Sequence, residues 1–449
     1  MLKSKIESQF RKYVKEHLSP TMEDIQFVSK VYKSFTDVLG VNNCIQIGSF
    51  PRYTAIRPLH DLDILYRIGE WSEEHKNPKI ILKDLGEKFQ RDYKNPTSFR
   101  LSFKVQSHSI SFTFLNSKEE EVFAVDIVPA INRGINEFDD ATFWVPEIIK
   151  ARTREKRTEI YAEKRFSHQD ISWIKTDPLG YIKQAAEINR SNSDFRKSVK
   201  FLKGWKNFCK SQNEGFKLKS FHLEQLITEQ LKLKPDQTIF DSLFQCLTNL
   251  KGDIKSPKIK DIADSDKFID QYVSDLTQKE RDLIFEAVDA ILIAFEKFEG
   301  EVEKVVDARF YRRNPKEKFL FDHSIPVLID ENVAFVVDGF IKKAEGYAEY
   351  KQRLSKTAGN VEKRNSIRFF VDRGHNLSYD YAWKIKNDDR CQEPRGDLHL
   401  NSISTRNEST AYYGNHYSEC FAIQNGECIA RDKADVLIFE KRNWGKLIQ

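Results

Sequence analysis

Two apolar runs that carry carboxylates constrain this chain more than any other feature. Asp61 and Asp63 alternate with apolar residues at the start of the run Leu62 to Tyr66. Side chains two residues apart in a strand point to the same side of the sheet, so both carboxylates share one face. Asp126 lies in a second apolar run, Val122 to Val128, that can lie beside the first. Three converging carboxylates are the ligands that two magnesium ions need to hold a nucleoside triphosphate and activate a hydroxyl.

A glycine–serine pair precedes the carboxylates in the sequence. The run Cys44 to Ile47 is typical of a short buried strand, and Gly48-Ser49 ends it. Because Gly48 has no Cβ, the backbone can approach a phosphate there, and the hydroxyl of Ser49 and free backbone N–H groups can bind its oxygens. An Asp-x-Asp pair on its own is more often a turn or an exposed strand edge. In the sequence a phosphate-binding turn comes first, two metal ligands follow it, and a third ligand comes last. This order favours a nucleotidyltransferase.

The composition limits the class of protein and its location. At 449 residues the chain is long enough for two or three domains. No apolar stretch is long enough to span a bilayer, and residues 1–15 are charged rather than signal-like. The six cysteines are scattered along the chain. We therefore expect a cytoplasmic, reduced protein with no membrane partner.

The net charge of +5 is too small to indicate nucleic-acid binding, but one segment after the carboxylates is strongly basic. Its cations are Lys150, Arg152, Arg154, Lys156, Arg157, Lys164 and Arg165. Such a run is often a solvated helix face. The alternative is a positive surface for an activating polyanion or for the growing product.

The hydrophobic pattern changes twice along the chain. Strand and helix patterns alternate first, helical patterns dominate from Pro178, and β-prone runs follow the polar stretch Lys356 to Asn365, which is typical of a linker. Asn425-Gly426 between two apolar runs predicts a β-hairpin. We expect an α+β protein with a mixed-sheet catalytic core at 1–177, a helical half at 178–350 and a small C-terminal β domain at 366–449. We expect the last of these to be separable from the chemistry.

Two segments of the helical half can supply phosphate and base contacts. The apolar positions around Lys203 have helical spacing and leave its ammonium free to point elsewhere. Ser220 is a good N-cap for the following helix, where Phe221 can stack on a base. A lysine and a serine at a helix N-terminus suit the outer phosphates of a triphosphate. Taken alone, each is more often a surface lysine, a plain cap or a core aromatic.

These motifs together resemble a known family, the bacterial cGAS/DncV-like nucleotidyltransferases or CD-NTases. The resemblance covers roughly Thr21 to Leu233 and is specific in combination. The segments that carry it are Gly48-Ser49, His60-Asp61-Leu62-Asp63, Val125-Asp126-Ile127-Val128-Pro129-Ala130, Trp173-Ile174-Lys175-Thr176-Asp177-Pro178, Phe201-Leu202-Lys203-Gly204-Trp205 and Ser220-Phe221-His222-Leu223-Glu224.

The C-terminal region, about Ile367 to Ile438, resembles a second family, the AGS-C sensor domain that is often joined to such enzymes. The segments that carry this resemblance are Trp383-Lys384-Ile385-Lys386-Asn387, Arg395-Gly396-Asp397, Glu408-Ser409-Thr410, Tyr413-Gly414-Asn415-His416, Cys420 and Asn425-Gly426-Glu427-Cys428-Ile429-Ala430. One departure is Asp388-Asp389-Arg390, where a glycine commonly follows the Trp…Asn element.

The CD-NTase resemblance implies a polymerase-β-like fold, two Mg²⁺ or Mn²⁺ ions and a set of site residues. Asp61, Asp63 and Asp126 would be the metal ligands, and Asp126 would also accept the proton of the 3′-hydroxyl. Gly48, Ser49, Lys203 and Ser220 would hold the triphosphate, and Phe221 would stack on the base.

The same resemblance implies the product. CD-NTases join NTPs, usually into cyclic di- or trinucleotides that activate an effector protein in anti-phage defence. The alternative is template-independent synthesis of linear oligonucleotides from NTPs or dNTPs, with a hydroxyl such as that of Tyr412, Tyr413 or Tyr417 as primer. A non-enzymatic nucleotide sensor is disfavoured because all three carboxylates are present.

Overall fold

The structure is a computed structural model, and it describes residues 3–72, 75, 78–105, 109–146, 173–342, 351–373, 376 and 378–440. The basic run at 150–165 lies outside these residues. The described chain contains a mixed sheet, a group of helices and two C-terminal sheets. The predicted α+β class, with a mixed sheet followed by helices and a C-terminal β domain, is confirmed.

The N-terminal sheet is mixed and carries the predicted carboxylates. Its strands are β1 Cys44–Ile47, β2 Asp61–Gly69, β3 Arg100–Val105, β4 Ile110–Leu115, β5 Glu121–Ile135, β6 Ala141–Pro146 and β7 Trp173–Thr176. The order is β1-β2-β5-β4-β3, and β6 joins β5 to β7. The strands β2 and β5 are parallel, whereas the other pairs are antiparallel.

Helices α2 Met22–Leu39 and α3 Pro78–Asp92 cover one face of this sheet. The helix α2 begins after Thr21, because the Thr21 hydroxyl accepts a hydrogen bond from the N–H of Asp24 and the Asp24 carboxylate accepts one from the N–H of Thr21. Val28, Val31 and Phe35 recur at helical spacing and are buried against the sheet. The opposite face of β2 and β5 is left for the site.

The helical part has its own apolar core. Its helices are α4 Pro178–Ser191, α5 Phe195–Gln212, α6 Ser220–Leu233, α7 Ile239–Asp253, α8 Gln278–Glu296 and α9 Val302–Val306. The N-terminal helix α1, Lys3–Tyr13, also belongs to this core, because Phe10 stacks on Phe201 at 5.2 Å and contacts Phe295 edge-on at 5.5 Å. The proposed catalytic core at 1–177 therefore includes a helix that packs with the helical half.

The C-terminal part is a sandwich of two sheets around a third core. Its strands are β8 Val336–Lys342, β9 Lys351–Arg353, β10 Asn360–Glu362, β11 Ser366–Arg373, β12 Asp380–Lys386, β13 Gly396–Ser402, β14 Thr405–Ser409, β15 Gly414–Gln424 and β16 Glu427–Phe439. The sheet orders are β10-β16-β15-β12-β13 and β14-β11-β8-β9. The predicted hairpin is confirmed, since Asn425 and Gly426 both have positive φ, at 53° and 79°.

Two sequence predictions about the C-terminal boundary are wrong. Strand β8, assigned to the helical half at 178–350, pairs with β11 and belongs to the sandwich. The expected linker Lys356 to Asn365 contains β10, which pairs with β16. Both elements are short, and β8 contains Gly339, where a Cβ would lie 2.8 Å from Ile367 of the paired strand. Each pairs with a strand that is distant in the sequence, so the local sequence pattern does not predict the pairing.

Among the described residues, no helix combines the length and the apolar composition that crossing a bilayer requires.

Candidate active site

The three predicted carboxylates lie on one face of the parallel pair β2–β5. Asp63 is directly opposite Asp126 in the strand register, and Asp61 lies two residues before Asp63 on the same side. Leu62 and Ile64 alternate with these aspartates along β2, so they point to the opposite face of the sheet, where they are buried under the covering helices. Strand alternation therefore sets the direction of all three carboxylates, as the sequence predicts.

Gly48 is in contact with this carboxylate face. It follows β1, has φ of +79°, and a Cβ built on it would lie 2.1 Å from Oδ2 of Asp63. Any larger residue would collide with the Asp63 carboxylate. The glycine was predicted for close approach to phosphate, and the structure adds the close approach of a metal-ligand candidate.

The site concentrates negative charge. Burial, and after it the neighbouring Asp61 and Asp126, raise the pKa of Asp63 to about 7, while Arg52 opposes the rise. Carboxylates placed this close resist ionising together in the absence of a cation. The group that best relieves such repulsion is a divalent cation bound by oxygen ligands.

The side chains are not already converged on one point. Within the described ranges, no three Asp, Glu, His or Cys side chains are placed so that they could hold a single ion. The donor chemistry fits Mg²⁺ or Mn²⁺, because three carboxylates share one face of adjacent strands. Their side chains have to turn before they can ligate a common ion.

A large cavity opens over the carboxylates. Its volume is about 1430 Å³, which is enough for more than one nucleotide, and it lies between the mixed sheet and the helical part. Seven of the eight predicted site residues line it, and they come from both parts: Gly48, Ser49, Asp61, Asp63, Lys203, Ser220 and Phe221. The eighth, Asp126, lies on the neighbouring strand β5.

The structure places Lys203 differently from the expectation of a free ammonium. Its Nζ is buried and donates to Oε2 of Glu224 at 2.8 Å, and to the carbonyl and hydroxyl oxygens of Thr54 at 3.0 Å each. Glu224 also accepts from Nε of Arg52 at 2.6 Å. Although burial opposes it, these two cations hold the pKa of Glu224 at about 2. Lys203 is therefore committed to a buried ion cluster at the cavity wall.

Two further lysines on α5 face the cavity and were missed from the sequence. Lys206 and Lys210 line it, three and seven residues after Lys203. Burial lowers the pKa of Lys206, as do Lys210 and Lys203, whereas Asp61 raises it. Their helical spacing from Lys203 was the available signal. They are cations at the cavity whose ammonium groups are not held by Glu224.

Ser220 and Phe221 both line the cavity, but Ser220 is not the N-cap of its helix. The first helical residue of α6 is Ser220, the N-cap is Lys219, and no side chain caps the helix. This leaves the Ser220 hydroxyl at the cavity wall. Phe221 has the Arg52 guanidinium 5.1 Å from its ring centre and contacts Tyr181 edge-on at 5.0 Å.

Comparison with known proteins identifies the C-terminal region. Residues 314–439 match the family described as Adenylyl/Guanylyl and SMODS C-terminal sensor domain, AGS-C. The match starts before β8, in agreement with the sheet pairing. It also contains every segment that the sequence analysis assigned to this family.

A curated relative of the chain is the cyclic AMP-AMP-AMP synthase of Escherichia coli strain MS 115-1. It is 24% identical over 190 residues, which is 42% of this chain and 49% of the relative. The chain thus spans about half the length of this relative. The resemblance to a CD-NTase with an AGS-C domain is confirmed by these two matches.

Two solved structures are similar to this chain in outline. E. coli MS115-1 CdnC with ATP covers 68% of this chain and 99% of its own, at 18% identity and a TM-score of 0.47. The cyclic dinucleotide synthase CdnE of Elizabethkingia meningoseptica, with GTP and Apcpp, covers 63% and 96%, at 14% identity and a TM-score of 0.40.

Proposed function

We propose that this protein is a metal-dependent nucleotidyltransferase that joins NTPs into a signalling oligonucleotide, a cyclic di- or trinucleotide, in bacterial anti-phage defence. The observation that carries the proposal is the in-register pair Asp63–Asp126, with Asp61 beside it, facing a cavity whose opposite wall bears lysines. The polymerase-β-like architecture implied by the resemblance fits this arrangement. A cytoplasmic location and an effector protein that responds to the product complete the proposal.

Each residue has a role in this proposal. Asp61, Asp63 and Asp126 hold two Mg²⁺ or Mn²⁺ ions, which when bound neutralise triphosphate charge and favour ionisation of the attacking hydroxyl. Asp126 accepts the 3′-hydroxyl proton. Backbone and hydroxyl groups of Gly48, Ser49 and Ser220 bind phosphate oxygens, and Lys206 and Lys210 add positive charge on α5.

In this arrangement Lys203 positions neighbouring residues and does not itself bind the triphosphate. Through Glu224 it is tied to Arg52 and Thr54, which lie in the loop that follows Ser49. The ion cluster therefore joins the phosphate loop to helix α5. Phe221 stacks on the base, and its packing against Tyr181 keeps the ring in place.

The product is identified by incubating the full chain with all NTPs and dNTPs and Mg²⁺ or Mn²⁺, followed by mass spectrometry. A cyclic di- or trinucleotide supports the proposal. Linear products with nucleotide adducts on the intact protein favour the primed alternative, for which Tyr413 is 41% exposed. An activating ligand or polyanion is added in parallel reactions, since it is a further proposed partner.

The carboxylates are tested by substitution. The double variant Asp61→Asn with Asp63→Asn, and separately Asp126→Asn, should abolish product formation without a loss of fold, because an amide is an uncharged and poorer metal ligand. Asp84→Asn on the exposed side of α3 is the matched control and should keep full turnover. Full turnover by either carboxylate variant would contradict the proposed function.

A further inference from the structure

One carboxylate in the cavity wall has no part in the chemistry described above. Asp261, in the segment between α7 and α8, lines the cavity together with Tyr181 and Phe221. It lies on the side where the base is expected to stack. A carboxylate accepts hydrogen bonds and, when ionised, donates none, so it can distinguish base edges by their donors.

Tyr181 connects the stacking ring to this carboxylate. Its ring meets Phe221 edge-on, with ring centres 5.0 Å apart, and its hydroxyl donates to Oδ1 of Asp261 at 3.2 Å. The N–H of Ile262 donates to the same hydroxyl at 3.3 Å. Asp261 is therefore held at a fixed position one tyrosine ring beyond Phe221. That spacing suits the edge of a base that stacks on Phe221.

The two oxygens of Asp261 are used unequally. Oδ1 accepts from both the Tyr181 hydroxyl and the N–H of Ala263, the latter at 2.9 Å. Two donors occupy the two lone pairs of a carboxylate oxygen. Among the hydrogen bonds between described residues, none is to Oδ2. Oδ2 is thus the oxygen of this carboxylate that can accept a hydrogen bond from a ligand in the cavity.

We propose that Oδ2 of Asp261 accepts a hydrogen bond from the exocyclic amino group of the base that stacks on Phe221. The inference rests on the proposed function and names its substrate class. Adenine N6 and cytosine N4 are such amino groups, whereas uracil and hypoxanthine present a carbonyl oxygen at that position. Guanine pairs best with a carboxylate through two adjacent N–H groups, and Oδ1 is already occupied. The site therefore prefers adenine or cytosine.

The preference is measured by binding ATP and ITP to the full chain with Mg²⁺, by calorimetry. The two nucleotides have the same purine ring, and ITP has a carbonyl where ATP has the amino group. Because a good base-edge contact discriminates by 1–3 kcal/mol, we expect ATP to bind about tenfold more tightly than ITP. Equal affinities overturn the inference alone. If the chain binds none of the four NTPs, the proposed function fails as well.

Two variants separate base recognition from folding. Asp261→Asn keeps an oxygen for Tyr181 and Ala263 and places an amide N–H₂ where Oδ2 was, so the preference should shift toward ITP. The control is Asp264→Asn in the same segment, which pairs with Lys175 at 3.6 Å and is not part of the cavity wall; it should keep the ATP preference. If folded Asp261→Asn shows the same ratio of ATP affinity to ITP affinity as the original chain, the inference is overturned.

If Asp261→Asn does not fold, Tyr181→Phe provides the second test. It keeps the ring against Phe221 and removes only the hydroxyl that positions Oδ1 of Asp261. We expect the ATP:ITP ratio to fall several-fold, while the affinity for ITP stays the same. A ratio equal to that of the original chain would overturn the positioning role and with it the inference.

Discussion

Two buried ion clusters join the parts of this molecule, and they differ in how completely they are paired. The first is centred on Glu224, which is fully buried and accepts from Arg52, Thr54 and Lys203 at 2.6–2.9 Å. It joins the loop after Ser49 to the helical part. Both cations of this cluster, Arg52 and Lys203, pair with the Glu224 carboxylate, and the Thr54 hydroxyl donates to it as well.

The second cluster lies between the helical part and the sandwich. Glu317 accepts from the Tyr311 hydroxyl at 3.1 Å and pairs with Lys384 at 3.1 Å and Lys386 at 3.6 Å. Glu296, at the end of α8, is also buried there, but among the described residues its Oε2 has no hydrogen-bond partner. Burial raises the pKa of Glu296 to about 7, although Lys384 opposes the rise.

The difference shows which junction is rigid. A buried charge costs several kcal/mol unless it is fully paired, so the Glu224 cluster is stable in one arrangement only and fixes the phosphate loop. The Glu296 junction contains a carboxyl that changes charge near neutral pH. We infer that the sandwich is joined to the helical part by a contact whose stability depends on pH.

The largest expected effect is that of Glu224→Gln. The substitution leaves Arg52 and Lys203 buried without a counter-charge, and breaking a buried pair in this way costs about 3–5 kcal/mol. Urea unfolding should show this loss as a lower midpoint. The control Glu229→Gln, on the exposed side of α6 where Glu229 pairs with Lys232, should change stability by less than about 0.5 kcal/mol. A similar small change in Glu224→Gln would contradict the rigid junction.

The second effect is a dependence on pH that has opposite sign in the two clusters. The folded-state pKa of Glu296 is raised above its ordinary value of 4.5, so between pH 4.5 and about 7 the folded state keeps a proton that the unfolded state has lost. Stability therefore falls as pH rises through this window, by up to about 3 kcal/mol. For Glu224, with a pKa of about 2, stability is full above pH 4.5 and is lost as pH falls toward 2.

The measurement is urea unfolding between pH 5 and 8 for the original chain and for Glu296→Gln. The amide cannot ionise, so the variant should lose the fall in stability above pH 5. Glu299→Gln, in the exposed segment after α8, is the control and should keep the original profile. Identical profiles for the original chain and Glu296→Gln would show that this carboxyl does not titrate in the window.

Local pattern was enough to predict the carboxylate face. The alternation of Asp61 and Asp63 with apolar residues, and the apolar run around Asp126, determine side-chain direction within a strand. The hairpin at Asn425-Gly426 was likewise predicted, because a tight turn is local in sequence. What these predictions share is that neighbours in sequence decide them.

Contacts between distant segments were not predictable in the same way. The position of α1 depends on Phe10 meeting Phe201 and Phe295, and periodicity gives a helix its apolar face but not its partner. For Lys203 the pattern gave a side chain on a polar helix face, but Glu224 opposite it comes from another helix. An ion cluster of this kind needs the tertiary structure.

The smallest expected effect is that of Lys384→Met. This variant tests both the stability of the second cluster and the pKa of Glu296. Glu317 keeps Lys386 and Tyr311 as partners, so the loss of stability should be about 1–3 kcal/mol, less than in Glu224→Gln. The same change removes a cation that opposes the raised pKa of Glu296, so the fall in stability should end at a higher pH. Lys433→Met, at an exposed position of β16, is the control. A loss as large as that of Glu224→Gln, or a pH profile that stays in place, would mean that the two clusters are equally rigid and that the proposed difference between the junctions is wrong.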